Sequence, residues 1–178
     1  MTVNPFDIKS ALLAKHAQHV VLIHFPIALF FAGVAFDYAA QWTRNRPKYQ
    51  TKSLALAAAA YFNLLLAAIS TVPVVASGLA AWQWALEGQK LKGILRMHLV
   101  LGCASSVLIW LVFWIHWSAR RRAEESSPEK SSGKLSSSGA ALPNYLPGYR
   151  LPVEAFAVLI VILTGHLGGF LSGVNLPG

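Results

Sequence analysis

The sequence predicts an all-α membrane protein: four transmembrane helices in an antiparallel bundle, with both termini on the outer side. Three observations carry that expectation. Hydrophobic residues make up 55% of the 178 residues and charged residues only 12%, where soluble domains carry about 25% charged. Four apolar stretches, at residues 20–42, 54–86, 94–117 and 152–172, are long enough to cross a bilayer, since a span takes about 20 residues at about 1.5 Å each. Lys and Arg also fall unequally on the two sides of such a bundle. A soluble fold of this length has no interior for so much apolar surface. Disorder, collagen-like repeats and a coiled coil are excluded as the main architecture.

Each element has its own signature. Residues 1–19 hold Asp7, Lys9, Lys15, His16 and His19 ahead of the first span, with no early apolar region and no cleavage site, so they do not read as a signal peptide. Phe6, Leu12, Leu13 and Ala17 make one face of a short interfacial helix. Residues 20–178 form the transmembrane domain. Its second span is long and carries Pro73, which removes a helical hydrogen bond and predicts a bend. Asn63, Ser70 and Thr71 on that span are expected to hydrogen-bond between helices. Residues 118–151 differ in kind. They open on Arg120, Arg121 and Arg122, continue through a Ser-rich tract, and return through Pro143, Pro147 and Pro152. Such a composition buries no core and predicts a flexible loop.

Charge counting orients the bundle. The 43–53 and 118–151 loops hold ten Lys and Arg, whereas the terminal side holds five. Basic residues concentrate on cytoplasmic loops, so both termini are expected outside, in the periplasm of a bacterial inner membrane. The net charge of +8 is then a topology signal and calls for no nucleic acid. Trp42, Trp114 and Trp117 near the inner ends, and Trp82 and Trp84 near the outer end, fit aromatic belts. One cysteine, Cys103, gives no disulfide and no thiolate metal site, and no Cys-x-x-Cys-His attaches a haem covalently.

The six histidines look scattered until topology aligns them. His24, His98 and His166 lie on three different spans, each near its outer end. Ionisable side chains in spans are costly and usually face the bundle interior, and bundles build cofactor sites from facing helices. A haem iron with two axial imidazoles needs histidines at matching depth on different helices. Gly165 and Gly169 beside His166 leave room for a macrocycle or for close helix packing. Arg96 is placed to pair with a haem propionate, or to snorkel at a helix start. Lys90 and Lys92 offer the same charge. His16 and His19 lie just above and read as solvated, second-choice ligands. His116 sits 18 residues after His98, five turns on, hence on the same face. It reads as an interfacial residue beside Trp114 and Trp117. Asp37, the one acid inside the first span, reads as a proton carrier or, ahead of that, as a residue that pairs with Arg44 or a nearby hydroxyl or reaches the headgroups. No Ser-His-Asp arrangement, phosphate loop, His-Glu-x-x-His motif or pair of carboxylates near a histidine emerges from the spacing.

These residues also carry a resemblance. His24-Phe25-Pro26-Ile27-Ala28-Leu29, Ser77-Gly78, Arg96-Met97-His98 and Gly165-His166-Leu167-Gly168-Gly169 follow one another as in a family of small bacterial four-helix membrane proteins, catalogued as a domain of unknown function. The resemblance runs from about residue 17 onward. It implies four spans, a histidine-lined outer end and a b-type cytochrome, with some members beside cytochrome c domains. The family pattern often has Trp at His166, which would make this histidine an extra or optional ligand.

The expected function is therefore a membrane-embedded electron-transfer subunit. It would hold one haem b, or two, near the outer face, with axial ligands from His24, His98 and His166. His98 with His166 or His24 is the preferred pair. Electrons would pass between a quinone or a periplasmic cytochrome c and a larger respiratory complex. Two other readings stand beside it: a cofactor-free structural or assembly subunit, and a zinc or copper site of three imidazoles. Nothing in the sequence makes the chain an enzyme by itself.

Overall fold

A computed structural model describes residues 17–44, 46–85, 90–125 and 147–171. The N-terminal segment through His16, the Ser-rich part of the loop and Gly173 lie outside the described residues, as does the side chain of Trp84. Among the described residues four α-helices make up the fold: α1 (Ala17–Arg44), α2 (Gln50–Ala85), α3 (Gly93–Glu125) and α4 (Arg150–Leu171). All four are long and apolar enough to cross a membrane. Among the described residues there is no strand. α3 continues to Glu125, so residues 118–125, which the sequence reading gave to the loop, are helical.

Side-chain bonds between neighbours make the up-and-down order explicit. His19 at the start of α1 meets Ser77 near the end of α2 at 3.0 Å. Ser53 at the start of α2 donates to the Ala40 carbonyl near the end of α1. Trp110 Nε1 in α3 donates to Thr71 Oγ1 in α2 at 3.1 Å. Ser105 and Thr164 hydroxyls bridge α3 and α4 at 2.8 Å. One end of the bundle thus holds the α1 start and the α4 end, and is called the terminal end below. The opposite end carries the 46–49 connection and is called the loop end. There Pro47 opens a single 3₁₀ turn, Pro47–Tyr49, where its missing N–H costs nothing.

Pro26 and Pro73 both sit inside continuous helices. Of Asn63, Ser70 and Thr71 on α2, only Thr71 bonds across helices among the hydrogen bonds resolved. Asn63 and Ser70 satisfy themselves on carbonyls of their own helix, Ala59 and Ala67. In lipid that internal option is always within reach, which is why polar residues need not bridge helices.

The core is a slim apolar column of Phe30, Val34, Leu64, Ala67, Ala68, Ile109, Val112, Ala157 and Val161. Only 17–22% of each apolar span is buried. The rest faces outward as a belt that includes Phe25, Phe62, Val107 and Phe156, the surface a lipid bilayer covers. Helices without a hydrophobic driving force between them associate by close packing of small residues. Gly33 shows this: a Cβ built there would lie 2.9 Å from Leu64 Cγ and 3.3 Å from the Leu64 backbone nitrogen. Leu64 is fully buried and has nowhere to turn. Gly33→Ala is expected to destabilise the bundle by about 1–3 kcal/mol through overpacking. The check is the midpoint of unfolding in a denaturing detergent titration, and an unchanged midpoint would sink the overpacking argument.

At the loop end, basic side chains lie over aromatic rings. Arg46 covers Trp42 at 5.9 Å, Arg120 covers Tyr61 at 4.8 Å and Arg121 covers Trp117 at 5.0 Å. These are the amphipathic contacts of a membrane interface, with apolar stems below and charge above.

Candidate functional site

At the terminal end, two imidazoles point into the bundle. His19 Nδ1 is bonded to Ser77 Oγ of α2. His98 Nδ1 is bonded to the Thr164 carbonyl of α4 at 3.2 Å, so that nitrogen carries the proton and donates. Each ring rests on a glycine. A Cβ at Gly78 would meet His19 Cε1 at 2.9 Å, and one at Gly168 would meet His98 Cε1 at 3.1 Å. The two glycines are the reason both rings fit where they do.

The other residues singled out from the sequence lie elsewhere. His24 is exposed, its Nδ1 2.7 Å from the Val20 carbonyl of its own helix. His166 is exposed, with its ring edge-on to Phe170 at 4.9 Å. The three histidines of the sequence reading therefore do not converge on one point: His98 faces inward, whereas His24 and His166 lie on the outer surface of their helices. A place near the same end of the bundle says nothing about which way a side chain faces. His19, bonded to Ser77 of α2, is the other histidine at the terminal end whose ring engages a neighbouring helix. Gly165 has no atom within 4 Å of an added Cβ, and the glycine under His98 is Gly168, between Gly165 and Gly169. Arg96, Lys90 and Lys92 are exposed at the terminal end.

The loop end holds a second constellation that the sequence reading missed. Arg150 Nε donates to Asp37 Oδ2 at 2.8 Å, with the two side chains 4% and 2% exposed. Arg150 Nη2 also donates to Gln41 Oε1 at 3.2 Å. His116 Nε2 meets Glu154 Oε1 at 2.8 Å, both buried. Tyr38 donates to the Leu151 carbonyl beside them. Three corrections follow. Asp37 pairs with Arg150 rather than with Arg44. His116 is a buried partner of Glu154 rather than an interfacial residue beside Trp114 and Trp117. Two carboxylates do lie beside a histidine.

A signal for this cluster was present. Asp37 lies 13 residues inward of His24, Glu154 12 residues before His166 and His116 18 residues beyond His98. The depth argument that aligned the outer histidines places these three together at the opposite end. The expected common face of His98 and His116 is seen, since both reach α4.

Residues 15–174 match the family model described as Predicted membrane protein (DUF2231). The chain belongs to this family. No curated protein and no solved structure matches it. The DUF2231 bundle thus carries two polar sites on one scaffold. His98 and His116 are about 27 Å apart along α3, from 18 residues at about 1.5 Å each. The terminal site offers two imidazoles whose second nitrogens, Nε2, lie opposite the tethered Nδ1 atoms. That is the arrangement in which imidazoles serve as ligands, because the bond at one nitrogen sets the tautomer and leaves the other to coordinate. The loop-end site offers buried charge arranged in pairs.

Proposed function

We propose that this protein is a membrane-embedded redox subunit that holds haem b at the terminal end of the bundle, with His19 and His98 as axial ligands. The observation that supports the reading most is the matched pair of tethered rings. Each inward imidazole has its Nδ1 engaged, by Ser77 or by the Thr164 carbonyl, and each is backed by a glycine that no other residue could replace without moving the ring. The chemistry of the donor set suits the group: two imidazole nitrogens from different helices, both toward the terminal end. Bound there, haem would supply one-electron transfer. Ser77 and Thr164 would keep the ligand nitrogens directed inward and raise their basicity. Arg96, Lys90 and Lys92 would meet the negative propionates at the aqueous rim.

On this reading the termini lie in the periplasm of a bacterial inner membrane, because ten basic residues flank the loop end against five at the terminal end. The electron partners would be a quinone or a periplasmic cytochrome c, and the assembly a larger respiratory complex. A visible spectrum of the detergent-purified protein, oxidised and then dithionite-reduced, tests this. A Soret band with sharp α and β bands on reduction is expected. A colourless, folded protein from haem-replete cells would end the haem reading.

A second reading, the cofactor-free structural subunit, is favoured by one observation. Both inward imidazoles already have protein partners, so they are stable as hydrogen-bonded core residues. That same spectrum separates the two.

A further inference from the structure

The loop-end cluster has a charge balance that the paired contacts do not close. Asp37 and Arg150 cancel each other. His116 and Glu154 remain. With a neutral imidazole and an ionised carboxylate, the four residues carry one uncompensated negative charge; one further proton closes it, on His116 or on Glu154, and the carboxylate oxygen without a partner favours Glu154. All four are buried, at 1%, 3%, 5% and 0% exposure for Asp37, Arg150, His116 and Glu154. An unpaired charge in such surroundings is too costly to persist. A second observation points the same way. Glu154 Oε1 is bonded to His116, but Oε2 is buried with no hydrogen-bond partner. A bare carboxylate oxygen is the costliest polar atom a membrane interior can hold, whereas a protonated oxygen there is far cheaper.

One oxygen or nitrogen from each of Asp37, His116 and Glu154 lies within 4.8 Å of the others, a spacing that attracts a cation. Charge decides which. A divalent ion would turn the deficit of one into an excess of one, beside the fixed guanidinium of Arg150. A single proton brings the cluster to neutrality. We propose that Glu154 is a buried proton-binding site, taking up one proton on Oε2 while His116 Nε2–H donates to Oε1. The step forms one O–H bond, converts the carboxylate to a carboxylic acid and breaks no bond within the protein. The proton comes from water at the loop end, where Gln41, bonded to Arg150, is the exposed polar group of the cluster.

The charged and titratable groups that act on Glu154 come from three helices: Asp37 from α1, His116 from α3, and Arg150 on α4 itself. Tyr38 of α1 lies within their field. α2 contributes no charged group to that set. None of these residues belongs to the terminal site, so the assignment stands whether or not haem is held there.

Infrared spectroscopy of the full chain in lipid nanodiscs tests it, using protein labelled with ¹³C at the glutamate carboxyl. At neutral pH the labelled protein is expected to show a protonated-carboxyl C=O band, shifted by the label and absent in Glu154→Gln. Glu124 and Glu125 are exposed. Should Glu154→Gln fail to fold, Glu154→Asp decides instead, since it keeps an acid at the position but takes its carboxyl out of the labelled set, so the shifted band must vanish. Glutamate carboxyls that are all ionised at neutral pH would overturn the proposal. So would stoichiometric binding of zinc or sodium, added alone to the wild-type protein in a calorimeter and lost in Glu154→Gln, since the deficit would then be met by a metal ion.

Discussion

Asp37→Asn is expected to destabilise the protein by about 3–5 kcal/mol. The substitution changes almost no volume, so packing plays little part. What it removes is the full negative charge that, among the described residues, is bonded to Arg150, whose side chain is 4% exposed. The guanidinium would be left with the Gln41 oxygen and the weakened field of an amide, deep in an apolar bundle. Breaking a buried pair from one side costs far more than the pair contributes, because the surviving charge keeps its desolvation penalty. The control is the double variant Asp37→Leu with Arg150→Met, which removes both charges. It is expected to recover most of the loss, as apolar replacements of buried ion pairs often do. Unfolding midpoints for wild type, both single variants and the double variant complete the cycle. A loss below about 1 kcal/mol in Asp37→Asn would mean that the pair behaves like one in water, and the buried network would be wrong.

The second large effect is optical. If haem sits at the terminal end, His98→Ala and His19→Ala are each expected to abolish the reduced α and β bands, because each removes an axial ligand. His24→Ala and His166→Ala are expected to leave the spectrum intact, since both side chains are exposed on the outer surface of the bundle. Ser77→Ala removes the partner of His19 Nδ1 and is expected to weaken haem retention by about 10–100-fold, the usual cost of losing such a supporting bond. Gly168→Ala places a methyl group 3.1 Å from His98 Cε1 and is expected to shift the ring and broaden the bands. The opposite pattern, bleaching in His24→Ala or His166→Ala with His19→Ala unaffected, would move the ligands to the outward histidines and refute the paired-ring reading.

The bundle itself was legible because lipid imposes it. A chain that must satisfy every backbone group without water forms helices, and the hydrocarbon thickness sets their length. Four apolar stretches therefore became α1 to α4, with helix ends shifted by several residues where Arg120 to Arg122 prolong α3 beyond the apolar run. Charged residues do not stop a helix; they only stop a span. Depth was legible as well, since it follows from 1.5 Å per residue and alternating direction. His24, His98 and His166 do lie toward the terminal end, and Asp37, His116 and Glu154 toward the loop end.

Rotation was not legible. A membrane helix with apolar residues on every side gives no periodic signal of which face is buried. α2 is the extreme case, being apolar almost all round. Whether an imidazole points at a neighbour or at lipid is decided by how helices lock together, through contacts such as Gly33 against Leu64, Gly78 against His19 and Gly168 against His98. Arg150 shows the same limit from the other side. In sequence it counts as one more basic loop residue. In the fold it is the first residue of α4 and turns inward onto Asp37.

Composition and spacing by themselves therefore determined the four membrane-spanning helices and their alternation, because those quantities depend on one helix at a time in a solvent of known thickness. Only the tertiary structure decided which histidines meet and which charges are paired. It decided that Glu154 keeps one oxygen without a partner, because these depend on the relative rotation of four helices, settled by the close packing of small side chains rather than by any pattern along one of them.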